Sequence, residues 1–131
     1  MIKLSEKSIA LLKGKNFAYI GTVNRDGSPQ VTPVWVDTDG KNILVNTAIG
    51  RVKEKNLARD PRVAVAVYDA ANPYQGASFS GKVVNKIAGK PADDHIDSLS
   101  DKYTGNKSYQ GRTVTEKRVI LVIEPTRLAE R

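Results

Sequence analysis

The run Asn46-Thr47-Ala48-Ile49-Gly50-Arg51-Val52-Lys53-Glu54-Lys55-Asn56-Leu57-Ala58-Arg59-Asp60-Pro61 holds the groups in this chain best suited to seating an anion. A strand (Ile43, Leu44, Val45) ends in Asn-Thr and turns through Gly50, and a short helix then opens with Arg51, Lys53 and Lys55 in its first turns. A helix N-terminus carries partial positive charge and favours acids, so cations crowded there repel it unless something negative intervenes. Unpaired amides at a helix start, with the Thr47 hydroxyl and basic side chains around them, form a seat for a phosphate. The plainer alternative is a solvated basic face. The placement of the cations at the end that repels them favours the phosphate.

Other chemistries find little support. The chain has no cysteine, which removes disulfides, thiolate nucleophiles and cysteine zinc sites together. A single histidine, His95, builds neither a histidine-rich metal site nor a Ser-His-Asp triad. No metal ligand and no catalytic side chain is therefore assigned. Asp93 and Asp94, beside Pro91, read as dipole partners at a helix start, and His95 in the same turn reads as a surface residue. Trp35 and Tyr68 lie within apolar strands and read as packing residues. Tyr74 and Gln75 instead follow Asn72-Pro73 in a loop, where an aromatic and an amide have less structural reason to be. Gly76 to Val83 comes within one residue of a P-loop, but Val83 stands where the magnesium-binding hydroxyl belongs and the context is a strand. No two glycines are spaced as a dinucleotide fingerprint requires.

The elements that must position this corner follow from pattern. Ser5 to Lys13 reads as a helix capped by Ser5 and stopped by Gly14. Phe17 to Val23, Pro29 to Asp37 and Asn42 to Asn46 read as three strands joined by Asp26-Gly27 and Asp39-Gly40 hairpins, with Pro33 demanding an edge or bulge. Three consecutive antiparallel strands indicate a meander rather than βαβ units. Arg62 to Asp69 is a nearly continuous apolar strand expected to be covered on both faces, and Ala77 to Ile87 is a long alternating one. Asp93 to Tyr103 places Ile96, Leu99 and Tyr103 on one helical face. Thr104 to Glu116 is a loop, and Lys117 to Glu124 is a final strand stopped by Pro125. The expected fold is mainly β with short helices (α+β): a six-stranded antiparallel barrel with little room inside, so that a ligand lies outside it or between subunits.

With 131 residues and 40% hydrophobic content, the chain is one globular domain spanning 1–131. A formal charge of +7 asks for an anionic partner without choosing among nucleic acid, a phosphorylated cofactor and an acidic membrane. No stretch is apolar enough to span a membrane and the opening residues lack a signal-peptide core, so the expectation is a cytoplasmic protein.

Several pieces, in order, resemble the split-barrel flavin-binding family of pyridoxamine phosphate oxidase. They are Gln30-Val31-Thr32-Pro33-Val34-Trp35, then Asn46-Thr47-x-x-Gly50-Arg51-x-Lys53-x-x-Asn56-Leu57-x-x-Asp60-Pro61-Arg62-Val63, then Asn72-Pro73-Tyr74. Ser80-Gly81-Lys82-Val83, His95-Ile96-Asp97, Lys102-Tyr103-x-Gly105 and the closing Lys117-Arg118-Val119 continue the match. Within that family the chain is similar to the branch using the deazaflavin coenzyme F-420. The resemblance implies a homodimer with cofactor sites at the subunit interface. It implies that Val31, Thr32, Pro33 and Val34 line the flavin ring, and that Thr47, Gly50, Arg51 and Lys53 take the phosphate with Asn56 nearby. Tyr74 and Gln75 would approach the ring from their loop. The chain lacks, in Thr126 to Arg131, the basic residues that hold pyridoxal phosphate in the oxidase proper, so the resemblance does not extend to vitamin B6 oxidation.

The implied activity is hydride transfer from coenzyme F-420 to a small conjugated substrate, which needs alignment more than an acid or base on the protein. One alternative keeps the fold and takes FMN, as an oxidoreductase or a flavin carrier. A second, from a different class, is a basic barrel stacking single-stranded nucleic acid on exposed aromatics. The chain has only eight aromatic residues, several of them in strands that read as buried, which argues against nucleic acid.

Overall fold

The computed structural model describes residues 2–131. In chain order the elements are α1 (Glu6–Lys13), β1 (Ala18–Val23), β2 (Pro29–Val34), β3 (Val36–Thr38), β4 (Ile43–Ala48), α2 (Val52–Arg59), β5 (Arg62–Tyr68), β6 (Gly76–Ala88), α3 (Lys90–Thr104) and β7 (Arg118–Glu130). Seven strands, rather than the six expected, form one antiparallel sheet in the order β2-β1-β5-β6-β7-β4-β3.

The additional strand arises at Trp35. Pro29 to Asp37 reads as one strand, but its first part pairs with β1 and its second with β4, at opposite ends of the sheet. Only Trp35 separates these parts, so chain continuity brings the two sheet edges within about 7 Å of each other. The sheet is therefore curled almost into a ring, while its ladder remains open between β2 and β3. Pro33 sits on edge strand β2, opposite Tyr19, where its missing N–H costs nothing.

Inside the curl, Ile20, Val36, Ile43, Val45, Val65, Val67, Leu121 and Ile123 pack with Leu12 of α1. Helix α3 covers the outer face of β4, β6 and β7 through Ala92 against Ile120 and Val122. This two-sided cover buries every residue from Arg118 to Ile123. By contrast, β5 alternates: Val63, Val65 and Val67 face the core, whereas Ala64 is exposed and Ala66 half-buried. The expectation of cover on both faces is corrected here, because alanines are small enough to look like core residues without being covered. Tyr19 and Val31, 52% and 62% exposed, share that open face with Gly21 and Ala64.

Two further boundaries differ from the sequence reading. Helix α3 begins at Lys90, with Pro91 in its first turn, where a missing N–H is harmless. Strand β7 does not stop at Pro125 but runs on to Glu130, because a bulge absorbs the proline. Gly81 stands opposite Pro125 and Ser80 opposite Arg127, leaving Thr126 as the extra residue.

Candidate functional site

The end of β2, Trp35, the start of α2 and the start of β7 enclose a cavity of about 250 Å³. Phe17, Pro33, Val34, Trp35 and Tyr109 line it together with Arg51, Lys53, Arg118 and Asn46. The aromatic wall is ordered by contact. Trp35 stacks on Tyr103 of α3 with centroids 5.4 Å apart and planes 5° from parallel, and Tyr109 meets Trp35 edge-on at 6.0 Å.

The cationic side is built around Arg118. Its side chain is buried, its guanidinium lies 5.3 Å from the Tyr109 ring centroid, and its Nε donates to Asn46 Oδ1 at 2.9 Å. Asn46 in turn donates through Nδ2 to the Ala92 carbonyl at 2.9 Å and lies 3.2 Å from His95 Nδ1. Glu116 joins the two arginines: Oε1 pairs with Arg118 and Oε2 lies 3.3 Å from Arg51 Nη2. Burial raises the Glu116 pKa, but the Arg118 hydrogen bond and the charges of Arg118 and Arg51 outweigh it and hold the carboxyl below its ordinary value. Lys53 has no hydrogen bond or ion pair among the described residues. Its partial burial, then the charges of Arg51 and Arg118, lower its pKa. A half-buried ammonium beside two guanidinium groups, without a carboxylate of its own, suits an external anion.

The helix start itself is partly spoken for. Arg51 is the N-cap of α2 and its side chain makes no capping bond. Gly50 turns the chain with φ +97°, a conformation that favours glycine, and its N–H donates to Glu54 Oε1 at 3.0 Å. The other Glu54 oxygen pairs with Lys86 at 3.5 Å. An acid in the first turn thus offsets part of the charge conflict read from the sequence.

Of the residues expected at the site, Pro33, Val34, Arg51 and Lys53 line the cavity, and Gly50 lies next to it in the turn. Val31 and Thr32 lie further along β2, with Val31 on the open sheet face. Thr47 shares the parity of Ile43 and Val45, is 1% exposed, and leaves its Oγ1 without a partner; its neighbour Asn46 faces the cavity instead. Asn56 is buried and donates to Thr22 Oγ1 and Asn24 Oδ1, both at 3.0 Å, which ties α2 to the first hairpin. Tyr74 is 76% exposed, and Gln75 accepts from Lys7 of α1, so within one chain neither joins this cavity. His95 is not a surface residue: it is half-buried, its Nε2 lacks a partner, and burial lowers its pKa. Asn46 and Arg118 were missing from the expected set. Both stand in the motifs carrying the resemblance, but an arginine opening a strand reads as a surface charge.

The family model for pyridoxamine 5'-phosphate oxidase matches residues 4–131. The chain belongs to that family, a group of flavin-associated oxidoreductases. Among solved structures, it is similar to a protein described as an F420 reductase, at 28% identity over 96% of this chain and 98% of the other, with a TM-score of 0.84. It is also similar to the conserved hypothetical protein Rv2991 from Mycobacterium tuberculosis, at 28% identity over 98% and 85%, with a TM-score of 0.75. An FMN-binding protein from Syntrophomonas wolfei subsp. wolfei shares the fold at 14% identity over 95% and 84%, with a TM-score of 0.70. No helix among the described residues is long and apolar enough to cross a membrane.

Proposed function

We propose that this protein is an oxidoreductase that uses the deazaflavin coenzyme F-420, bound with its phosphate at the Arg51–Lys53–Arg118 corner. The observation that carries the reading is the convergence of these three cations, one of them unpaired, on a cavity that aromatic side chains also line. The likeness to an F420 reductase at 28% identity supports the deazaflavin over FMN. When bound, the coenzyme supplies the hydride for an electrophilic carbon of a small conjugated substrate. The protein's part is to bind and orient. Lys53 and Arg51 hold the phosphate, Arg118 stays fixed by Asn46 and Tyr109, and Pro33 and Val34 present a dry edge for the ring. No side chain here is assigned to proton transfer.

The proposed unit is a homodimer. A cavity of about 250 Å³ is below the usual range of roughly 300–1,000 Å³ for small-molecule sites, so one chain supplies only part of the enclosure. The open face around Tyr19, Val31 and Ala64 gives a second copy an apolar surface to cover. In that arrangement Tyr74 and Gln75 would act on the site of the other copy.

Titrating the purified protein with coenzyme F-420 and with FMN, followed by absorbance, tests the assignment. Saturable binding of F-420 is expected. Stoichiometric FMN binding without any F-420 binding would transfer the assignment to FMN.

A further inference from the structure

We propose that Glu116 is the resident anion of this corner, a carboxylate that an incoming phosphate must displace from Arg51 and that thereby sets the affinity for phosphorylated ligands. The inference rests on the reading that Arg51, Lys53 and Arg118 take a phosphate. Within that reading it assigns a role to a residue outside the cavity lining.

The two halves of the Glu116 bridge are unequal. Toward Arg118 the carboxylate meets a guanidinium that is 5% exposed and already held by Asn46 Oδ1 and the Tyr109 ring. Toward Arg51 it meets a side chain 48% exposed at 3.3 Å, and Arg51 makes no other side-chain hydrogen bond among the described residues. Exposed pairs of this kind are weak and exchange readily, whereas breaking a buried pair strands a charge. An arriving phosphate therefore takes Arg51 and leaves Arg118 with Glu116. Glu54, the other acid nearby, is directed elsewhere, to the Gly50 amide and to Lys86.

Charge counting gives the consequence. Arg51, Lys53 and Arg118 against Glu116 leave a net of two positive charges (three minus one), so the corner still attracts a phosphate with Glu116 in place. Neutralising Glu116 raises this to three and frees Arg51 in advance. The carboxylate thus keeps the site from holding any passing anion too firmly, at a cost in affinity for the intended one.

The test is equilibrium binding of FMN and coenzyme F-420, each beside its phosphate-free parent (riboflavin and the corresponding deazariboflavin), to wild type, Glu116→Gln, Glu116→Asp and Lys53→Ala. A unit charge removed at contact distance from a partly exposed site should tighten phosphate-bearing probes by about tenfold in Glu116→Gln. The phosphate-free parents should bind as before, and Glu116→Asp, too short to span both arginines, should give a smaller gain. Thermal melting of each variant checks that the fold is kept, and Glu116→Asp carries the test if the glutamine variant does not fold. Unchanged or weaker phosphate binding in both Glu116 variants, with Lys53→Ala still weakening it, overturns the role of Glu116 and leaves the phosphate seat standing. If Lys53→Ala leaves phosphorylated probes unaffected, the seat itself is misplaced and both readings fall.

Discussion

Tyr103 of α3 holds Val36, the first residue of β3, by accepting its amide proton at 3.1 Å on the phenol oxygen. The same hydroxyl donates to the Asn16 carbonyl at 2.6 Å, so a single group fastens the helix, the edge strand and the segment after α1. This bond lies one residue beyond Trp35, whose ring rests flat on Tyr103. The aromatic wall of the site and the exit of the chain across the open ladder are fixed by one side chain.

Tyr103→Phe keeps the stacking and removes the hydroxyl. It leaves the buried Val36 amide and Asn16 carbonyl short of a partner, at a cost of roughly 1–3 kcal/mol. Urea denaturation should report this loss with little change in the slope of the transition.

Gly81→Ala should be disproportionately costly for the addition of one methyl. Its Cβ would lie 2.6 Å from the Glu124 carbonyl oxygen, a backbone atom in the bulge that cannot rotate away. A destabilisation of roughly 1–3 kcal/mol is expected from overpacking, read as a lowered melting temperature. A melting temperature equal to wild type would show that the bulge can open.

Lys102 gives a stability dependence on alkaline pH. Its Nζ donates to the carbonyls of Leu12 at 2.8 Å and Val36 at 2.6 Å, and burial lowers its pKa to about 8. The unfolded chain, with an ordinary lysine, binds more protons between that value and about 10.5, so stability should rise with pH across this window. Lys53, also lowered by burial, acts in the same direction. Tyr103, raised by burial, opposes it above about pH 10, where the unfolded phenol ionises first. Denaturation midpoints from pH 7.5 to 10 should climb in wild type and climb less in Lys102→Met.

Arg118→Met should cost roughly 1–3 kcal/mol, because it leaves the buried Asn46 Oδ1 without its donor and Glu116 with Arg51 alone. Arg118→Lys keeps the charge but cannot serve Asn46, Glu116 and the Tyr109 ring at once. It should recover only part of the loss. Equal stability of the lysine variant and wild type would reduce Arg118 to a charge without a geometric role.

How much of this was readable in advance depended on the range of the interaction. The Ser5 cap, the Asp26-Gly27 and Asp39-Gly40 hairpins and the α2 segment are decided by neighbours in sequence, and they stand where pattern placed them. The division of the strand at Trp35 is not local: Pro33 asks only for an edge or a bulge, and it is the curl of the whole sheet that sends the two halves to different partners. Pro125 misled because a proline ordinarily ends a paired strand, whereas here the residue opposite it in the bulge, Gly81, lies far away in the chain. Arg51 and Lys53 were legible because their position conflicts with the helix dipole. Arg118 was not, since its partner Asn46 lies 72 residues away and the ring packed against its guanidinium, Tyr109, comes from a separate loop.

The place of β7 in the strand order makes it the seam of the sheet. The set β2-β1-β5-β6 and the pair β4-β3 make no ladder with each other except through residues 118–130. With residues 118–130 unpaired, the remaining strands would fall into two separate sheets, each with a bare hydrogen-bonding edge, so the integrity of the whole curl hangs on that single strand.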